Sequence, residues 1–331
     1  MANLVLPFLS IREQKRKMKI KAWIRAFRLR TLPLSVSGIV LGSGLAKFHL
    51  DYLETTEENN YWKITILAIL TTLSFQIVSN LANDLGDGEK GTDNNNRIGP
   101  RRAVQSGEIS IPSMRLAVRI AAFISIALAF WLIKSSAPNL SSQSKFIYLI
   151  LAILCVVAAI TYTVGKNAYG YRGLGDLMVF VFFGLVSVIG SYMLYGFELE
   201  NILMFFAIAI GCWSTAVLNL NNLRDIDNDR ASKKNTLIVK LGFKRGKFYH
   251  AFLIISGFLC WSIGITYLML NSFHFLLFLA IFPSFILLFH LHKVMYMKEP
   301  KEMDPELKKV ALTTFVCAML FTILLNYHFF N

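Results

Sequence analysis

Two runs in this chain of 331 residues carry acids and amides at spacings that could hold a metal-bound anion. The first is Asn80-Leu-Ala-Asn83-Asp84-Leu-Gly-Asp87-Gly-Glu-Lys90-Gly-Thr-Asp93, and the second is Asn219-Leu-Asn221-Asn222-Leu-Arg224-Asp225-Ile-Asp227-Asn-Asp229-Arg230. In a helix, residues four apart share a face, so Asn83 aligns with Asp87, and Asn221 with Asp225 and Asp229. Like charges stacked on one face repel each other. Hard divalent cations placed between the two runs would remove that repulsion. Magnesium (Mg2+) favours carboxylate oxygens and completes its shell with water and substrate phosphate oxygens. The neutral Asn oxygens limit the negative charge facing an anionic substrate. The combination suits a diphosphate held through metal.

Basic residues flank both runs. Lys90, Arg97, Arg101 and Arg102 follow the first; Arg224, Arg230, Lys233 and Lys234 surround the second. Arginine grips phosphate bidentately and lysine acts as a point charge. Within Arg97-Ile-Gly-Pro100-Arg101-Arg102, a turn can fold back over the metal site. Three other readings compete. Turns rich in Asp, Asn and Gly are common on surfaces, but two such runs at matching positions, 138 residues apart, strain that explanation. A calcium-binding hand needs Gly sixth and Glu twelfth, where this chain has Arg230 and Thr236. A divalent-cation transporter would place its acids near the membrane midplane, whereas these runs cap helices.

The elements that must position these residues are membrane helices. Hydrophobic residues make up 55% of the chain and charged residues only 16%, well below the charge of a soluble protein. Apolar blocks predict nine spans, at 33–50, 62–82, 115–134, 145–163, 174–195, 201–222, 248–269, 273–292 and 309–327. The first is diluted by Gly38, Gly42 and Gly44, which fit either a weak helix or close helix packing in lipid. Of the 34 Lys/Arg residues, 30 fall on one side of this arrangement, and the other side keeps Lys47, Lys63, Lys134 and Lys145. Basic loops stay cytoplasmic, so the N-terminus is expected inside, with 1–32 a basic cytoplasmic segment ahead of a helical domain over 33–331. Composition and spans exclude soluble enzyme folds and most nucleic-acid binders, despite a net charge of +14. No signal-peptide core is evident in the first thirty residues. Cys155, Cys212, Cys260 and Cys317 lie singly in apolar blocks, which argues against disulfide or zinc roles. A further segment, Tyr162-Thr-Val-Gly165-Lys166-Asn-Ala-Tyr169-Gly-Tyr171-Arg172-Gly-Leu-Gly175-Asp176, has more tyrosine and glycine than a plain connection needs.

At these residues the chain resembles the UbiA superfamily of intramembrane prenyltransferases. The likeness is carried by Arg28-Leu-Arg30-Thr31-Leu32-Pro33, the first Asp-rich run, Arg97-Ile-Gly-Pro100-Arg101, Tyr171-Arg172-Gly-Leu-Gly175-Asp176, and Asn222 through Arg230 with Lys234-Asn235-Thr236-Leu237. It most resembles the branch that acts on 1,4-dihydroxy-2-naphthoate in menaquinone synthesis. It departs from the usual pattern at Asp93, displaced by two positions beyond Gly88 and Gly91, and at Lys166, where that branch has proline.

The resemblance implies an all-α membrane protein with a bundle of nine transmembrane helices in the cell inner membrane and an active site on the cytoplasmic side. It implies transfer of a prenyl group from polyprenyl diphosphate to 1,4-dihydroxy-2-naphthoate with loss of CO2, using Mg2+ and no organic cofactor. Asn83, Asp84, Asp87, Asp93, Asn221, Asp225 and Asp229 would hold the metal. Asp84, Asp87, Asp225 and Asp229 would be the catalytic acids, and Lys90, Arg97, Arg101, Arg224 and Lys234 would bind diphosphate. Arg28, Tyr162 and Lys166 would steer the acceptor. Membrane lipid would surround the site, and nucleic acid would have no part. Other branches accept 4-hydroxybenzoate, a chlorophyllide or a haem.

Overall fold

A computed structural model describes residues 20–53, 58–94, 98–272 and 275–327 of the chain. Every regular element among the described residues is helical. We label them α1 (Ile20–Phe27), α2 (Leu32–Tyr52), α3 (Glu58–Glu89), α4 (Ile111–Ser136), α5 (Ser142–Thr161) and α6 (Gly175–Met193). Then follow α7 (Asn201–Arg224), the short α8 (Ile226–Ala231) and α9 (Leu237–Leu241), α10 (Phe243–Ser272), α11 (Phe275–Tyr296) and α12 (Pro300–Leu325). Helices suit lipid because they satisfy their own backbone groups. Among the described residues eight are long and apolar enough to cross a membrane, and the number is nine if α1 and α2, bent by 47°, form one span. The nine apolar blocks of the sequence thus each have a helix.

Helix α7 is the most buried of the spans and α5 the least. Around α7 the main core gathers Phe206, Trp213, Trp261 and Phe321, with ring centroids 4.8–5.6 Å apart. Phe123, Phe130, Phe146, Phe252 and Phe289 point outward, as a lipid-facing surface requires. A second core joins Ala22 and Ala26 of α1 to Leu81, Leu85, Ala103 and Met114. The described part of the basic N-terminal segment is therefore packed: Asn80 donates to the Phe27 carbonyl at 2.9 Å.

The glycines of α2 resolve in favour of close packing. A methyl group at Gly38 or Gly42 would overlap Ser187 and Ser191 of α6, and one at Gly44 would come within 2.5 Å of Thr322 in α12. Thr322 donates to the Val40 carbonyl at 3.2 Å and Asn326 to that of Gly44 at 3.1 Å, contacts open only to backbones this close. Gly42→Ala is accordingly expected to cost about 1–3 kcal/mol by overpacking, seen as a lower melting temperature in detergent. Gly190→Ala, whose nearest neighbour atom lies at 4.0 Å, should change little.

A buried polar chain ties α7 to its neighbours. Asn219 is hydrogen-bonded to His250 (3.1 Å), His250 to His290 (2.9 Å) and His290 to Glu306 (2.6 Å). Lys293 and Lys309 close the chain on the Glu306 carboxylate at 2.7 and 2.9 Å. Polar groups at this depth persist where each finds a partner. The chain fixes the end of α7, where the second Asp-rich run begins.

Candidate active site

Helix α3 is longer than its apolar block, so Asn83, Asp84 and Asp87 lie on its last turns rather than in a loop. Gly86 and Gly88 let other segments approach: a Cβ at Gly86 would sit 2.6 Å from Thr163, and one at Gly88 2.6 Å from Val104. Asp84 accepts the N–H groups of Ala103 (3.0 Å) and Val104 (3.1 Å), one on each carboxylate oxygen. It thereby pins the loop that carries Arg101 and Arg102. Asp87 accepts the Tyr171 hydroxyl at 2.8 Å and the Lys234 ammonium at 3.3 Å. The Arg102 guanidinium lies 4.0 Å from Asp87 and 3.6 Å from Asp93.

The second run breaks where one continuous helix was expected. Helix α7 ends at Arg224, Asp225 forms the joint, and Asp229 rides on α8. The four-residue step survives, because the Asp229 N–H still donates to the Asp225 carbonyl at 2.8 Å. Arg224 is fully buried and grips Asp225 bidentately at 2.9 and 2.7 Å. It also donates to Asn221 at 2.8 Å and, 80 residues along the chain, to Asp304 at 2.6 Å. Its guanidinium is thus committed to holding the joint in place. Asp227 and Arg230 pair with each other on the surface.

Two links tie the first run to the second and the residues just after it, and a third ties those residues to Tyr171. Lys234 reaches Asp87, Asn228 donates to the Thr92 carbonyl at 2.9 Å, and the Asn235 N–H donates to the Tyr171 carbonyl at 3.2 Å. Lys233, a non-glycine residue at φ 56°, turns the chain so that Lys234 points back into the site. Such backbone strain persists where surrounding structure over-determines it, as at binding sites. Tyr171 stands between the runs, hydrogen-bonded to Thr92 at 2.6 Å, with the Lys90 ammonium 3.9 Å and the Lys234 ammonium 5.2 Å from its ring centre. Lys90 also donates to the Thr163 carbonyl at 2.7 Å.

Burial and the neighbouring carboxylates set the charge states. Burial works to depress the Lys234 ammonium, but Asp87 and Asp229 outweigh it and hold its pKa above the ordinary lysine value. Lys90 goes the other way: burial lowers it, with repulsion from Lys234 adding to the effect against the pull of Asp87. Burial, then Asp87, raise the Tyr171 hydroxyl, which stays a neutral donor.

Of the acceptor candidates, Tyr162 feels the charge of Arg28. Arg28 and the carboxylates of Asp87, Asp176 and Asp229 all act electrostatically on the Tyr162 hydroxyl. Gly170 and Gly175 close on the Tyr162 ring, where a Cβ would lie 2.8 and 3.0 Å from Cε2. Arg28 is, with Lys233, one of two described non-glycine residues at positive φ. Asn83 accepts from Thr163 at 3.3 Å. Lys166 and Arg101 are exposed, and Arg97 lies outside the described residues.

The sequence undervalued Tyr171, Thr92, Asn228 and Arg102. The surplus of tyrosine after α5 signalled the first, and adjacency to Arg101 the last. The acids are hard oxygen donors with neutral Asn oxygens beside them, a set that fits magnesium. Among the described residues no group of three or more acidic, His or Cys side chains stands close enough together to hold a metal ion by itself. Magnesium commonly takes only one or two protein carboxylates and completes its shell with phosphate and water.

Comparison with known proteins bears on this geometry. The family model described as the UbiA prenyltransferase family matches residues 52–312. The chain is 38% identical over 307 residues to a 1,4-dihydroxy-2-naphthoate octaprenyltransferase of Escherichia coli, covering 92% of this chain and 95% of that protein. It is 36% identical over 305 residues to the protein of the same name from Haemophilus influenzae, covering 92% and 96%. The fold is similar, with TM-score 0.56 at 12% identity, to a solved UbiA homolog from Archaeoglobus fulgidus bound to DMAPP and Mg2+, covering 91% of this chain and 99% of that one. A match over this much of its length makes the chain a member of the UbiA prenyltransferase family.

Proposed function

We propose that this membrane prenyltransferase transfers a polyprenyl group from polyprenyl diphosphate to 1,4-dihydroxy-2-naphthoate with loss of CO2, giving demethylmenaquinol. The reaction depends on Mg2+ and takes place at the cytoplasmic side of the cell inner membrane, with the N-terminus inside. The observation that carries the reading is the meeting of two Asp-rich helix ends across Lys234 and Tyr171. The names of the relatives support the choice of acceptor, and the basic loops at the site end support the orientation.

Asn83, Asp84, Asp87, Asp93, Asn221, Asp225 and Asp229 would hold magnesium, which when bound neutralises charge building on the leaving diphosphate. Lys90, Lys234 and Arg102 supply fixed positive charge to the same oxygens, and Arg97 and Arg101 would add to it. Arg224 acts by holding Asp225 and Asn221 in register. When the allylic carbon–oxygen bond breaks, its electron pair leaves with the diphosphate, and cations already in place lower the barrier. The allylic cation left behind is shielded from water by the apolar bundle, with the Tyr162 ring available to it as a π face. The ring carbon bearing the carboxyl group attacks that cation and forms the new carbon–carbon bond. The carboxyl group then leaves as CO2, its bonding pair restoring the aromatic ring. Arg28 and Lys166 would steer the acceptor carboxylate toward this position.

The test is the mass of the lipid product made by purified protein in liposomes given polyprenyl diphosphate, Mg2+ and 1,4-dihydroxy-2-naphthoate. A prenylated naphthoquinol lacking the carboxyl group is expected. Prenylation of 4-hydroxybenzoate alone would end the acceptor assignment, and magnesium movement across the liposome without diphosphate release would favour a transporter. The charge states give a further expectation. Diphosphate binding favours protonated Lys90, so affinity should fall as pH rises through a pKa below the ordinary lysine range. Lys90→Arg should move that alkaline limb upward, read from the pH dependence of KM for the prenyl diphosphate.

A further inference from the structure

Asp176 is a buried acid beside this site with one carboxylate oxygen that meets no donor. Asp87 has Lys234 and Arg102, Asp93 has Arg102, Asp225 has Arg224, and Asp84 has two backbone N–H groups. Among the described residues Asp176 pairs with no lysine or arginine, although it is only 5% exposed. The Tyr249 hydroxyl and its own backbone N–H reach the carboxylate, yet Oδ1 is buried and accepts no hydrogen bond. Position in the first turn of α6 accounts for a negative charge there, but leaves this oxygen unmet. Buried acceptors are almost always satisfied, and one that is not calls for a missing donor.

The surroundings say what kind of donor fits. The carboxylate acts electrostatically on the Tyr162 hydroxyl, as do Asp87 and Asp229. Gly175, its neighbour in sequence, lies against the end of the Tyr162 ring, where a Cβ would be 3.2 Å from the hydroxyl. A diphosphate would be repelled by an unbalanced carboxylate. An aromatic hydroxyl bounded by Tyr162 and Tyr249 would not.

We infer that Asp176 Oδ1 accepts a hydrogen bond from a hydroxyl of the acceptor ring. The inference rests on the prenyl-transfer reading and adds a specificity-determining residue to it. Drawing the hydroxyl proton toward a carboxylate pushes electron density into the ring and strengthens the attacking carbon without completing a proton transfer. It also sets the ring in the pocket, so an acceptor without that hydroxyl would leave the carboxylate unmet and be rejected.

The test uses the full chain in liposomes, with wild type and D176N compared on 1,4-dihydroxy-2-naphthoate and on its two mono-O-methyl ethers. D176N should lower kcat/KM for the dihydroxy acceptor by roughly 100-fold, the range of a hydrogen bond to a charged group. Its KM for prenyl diphosphate and its magnesium requirement should match wild type, which also reports that the variant is folded. Wild type should discriminate against one methyl ether by a similar factor, and D176N should lose most of that discrimination. Unchanged discrimination in D176N would overturn the assignment. So would a loss of prenyl diphosphate binding or a raised magnesium requirement, which would place Asp176 among the diphosphate-side groups. Failure of wild type to prenylate the naphthoate would defeat the prenyl-transfer reading and this assignment together, whereas wild-type turnover with an indifferent D176N would defeat the assignment alone.

Discussion

Asp87→Asn is expected to lower turnover by about 100- to 1,000-fold, or about 3–4 kcal/mol of transition-state stabilisation, while the protein still elutes as a folded species in detergent. The substitution keeps the shape of the side chain and an oxygen for Tyr171, whose hydroxyl now sits 2.8 Å from Asp87. It removes the charge that Lys234 shares with Asp229 and one hard anionic donor from the end of α3. Asp225→Asn should behave alike, since Arg224 keeps Asp304 and Asn221 as partners. Diphosphate release in proteoliposomes is the readout. Rates like wild type in both variants would remove the two runs from the mechanism.

Arg102→Ala is the second large effect expected, and it separates two neighbouring arginines. Arg102 is mostly buried, and its Nε and Nη1 make no hydrogen bond among the described residues. The nearest acids stand at 3.6 and 4.0 Å, close enough to orient the guanidinium but too far to satisfy it. Diphosphate oxygens would supply the missing acceptors. The loss should raise KM for prenyl diphosphate by about 100-fold, in the range of hydrogen bonds to charged groups, and Arg102→Lys should restore only part of it because the fork is gone. Arg101 is exposed, so Arg101→Ala should change KM by about threefold or less and only at low salt. Equal effects of the two substitutions would contradict this division.

Much of this arrangement was legible in the chain, and what was not shares one physical cause. Apolar length gave the spans, and four-residue spacing gave Asn83 with Asp87 and Asp225 with Asp229, because both depend on local geometry. Long-range partners decided the rest. Gly38 and Gly42 suited a weak helix as well as a packed one until Ser187 and Ser191, some 150 residues on, were seen against them. Arg224 has the chemistry of a phosphate ligand, yet Asp304 and Asp225 take its donors. The choice between Arg101 and Arg102 was made by Asp84, whose grip on the Ala103 and Val104 amides sets which arginine turns inward. Tyr171 could pass for a headgroup-level tyrosine, and only its bond to Asp87 moves it into the site. Lys166 has the right spacing from Tyr162 and is exposed.

The central claim is that both Asp-rich ends serve one magnesium-bound diphosphate. Equilibrium binding of an unreactive prenyl thiodiphosphate to the protein in nanodiscs, with and without Mg2+, tests it most directly in wild type, Asp87→Asn, Asp229→Asn and the double variant. The expected result is binding that requires Mg2+, is weakened by either substitution, and loses less in the double variant than the two single losses combined, because groups around one ligand couple. Binding that ignores Mg2+, or that depends on one helix end and not the other, would contradict a shared site.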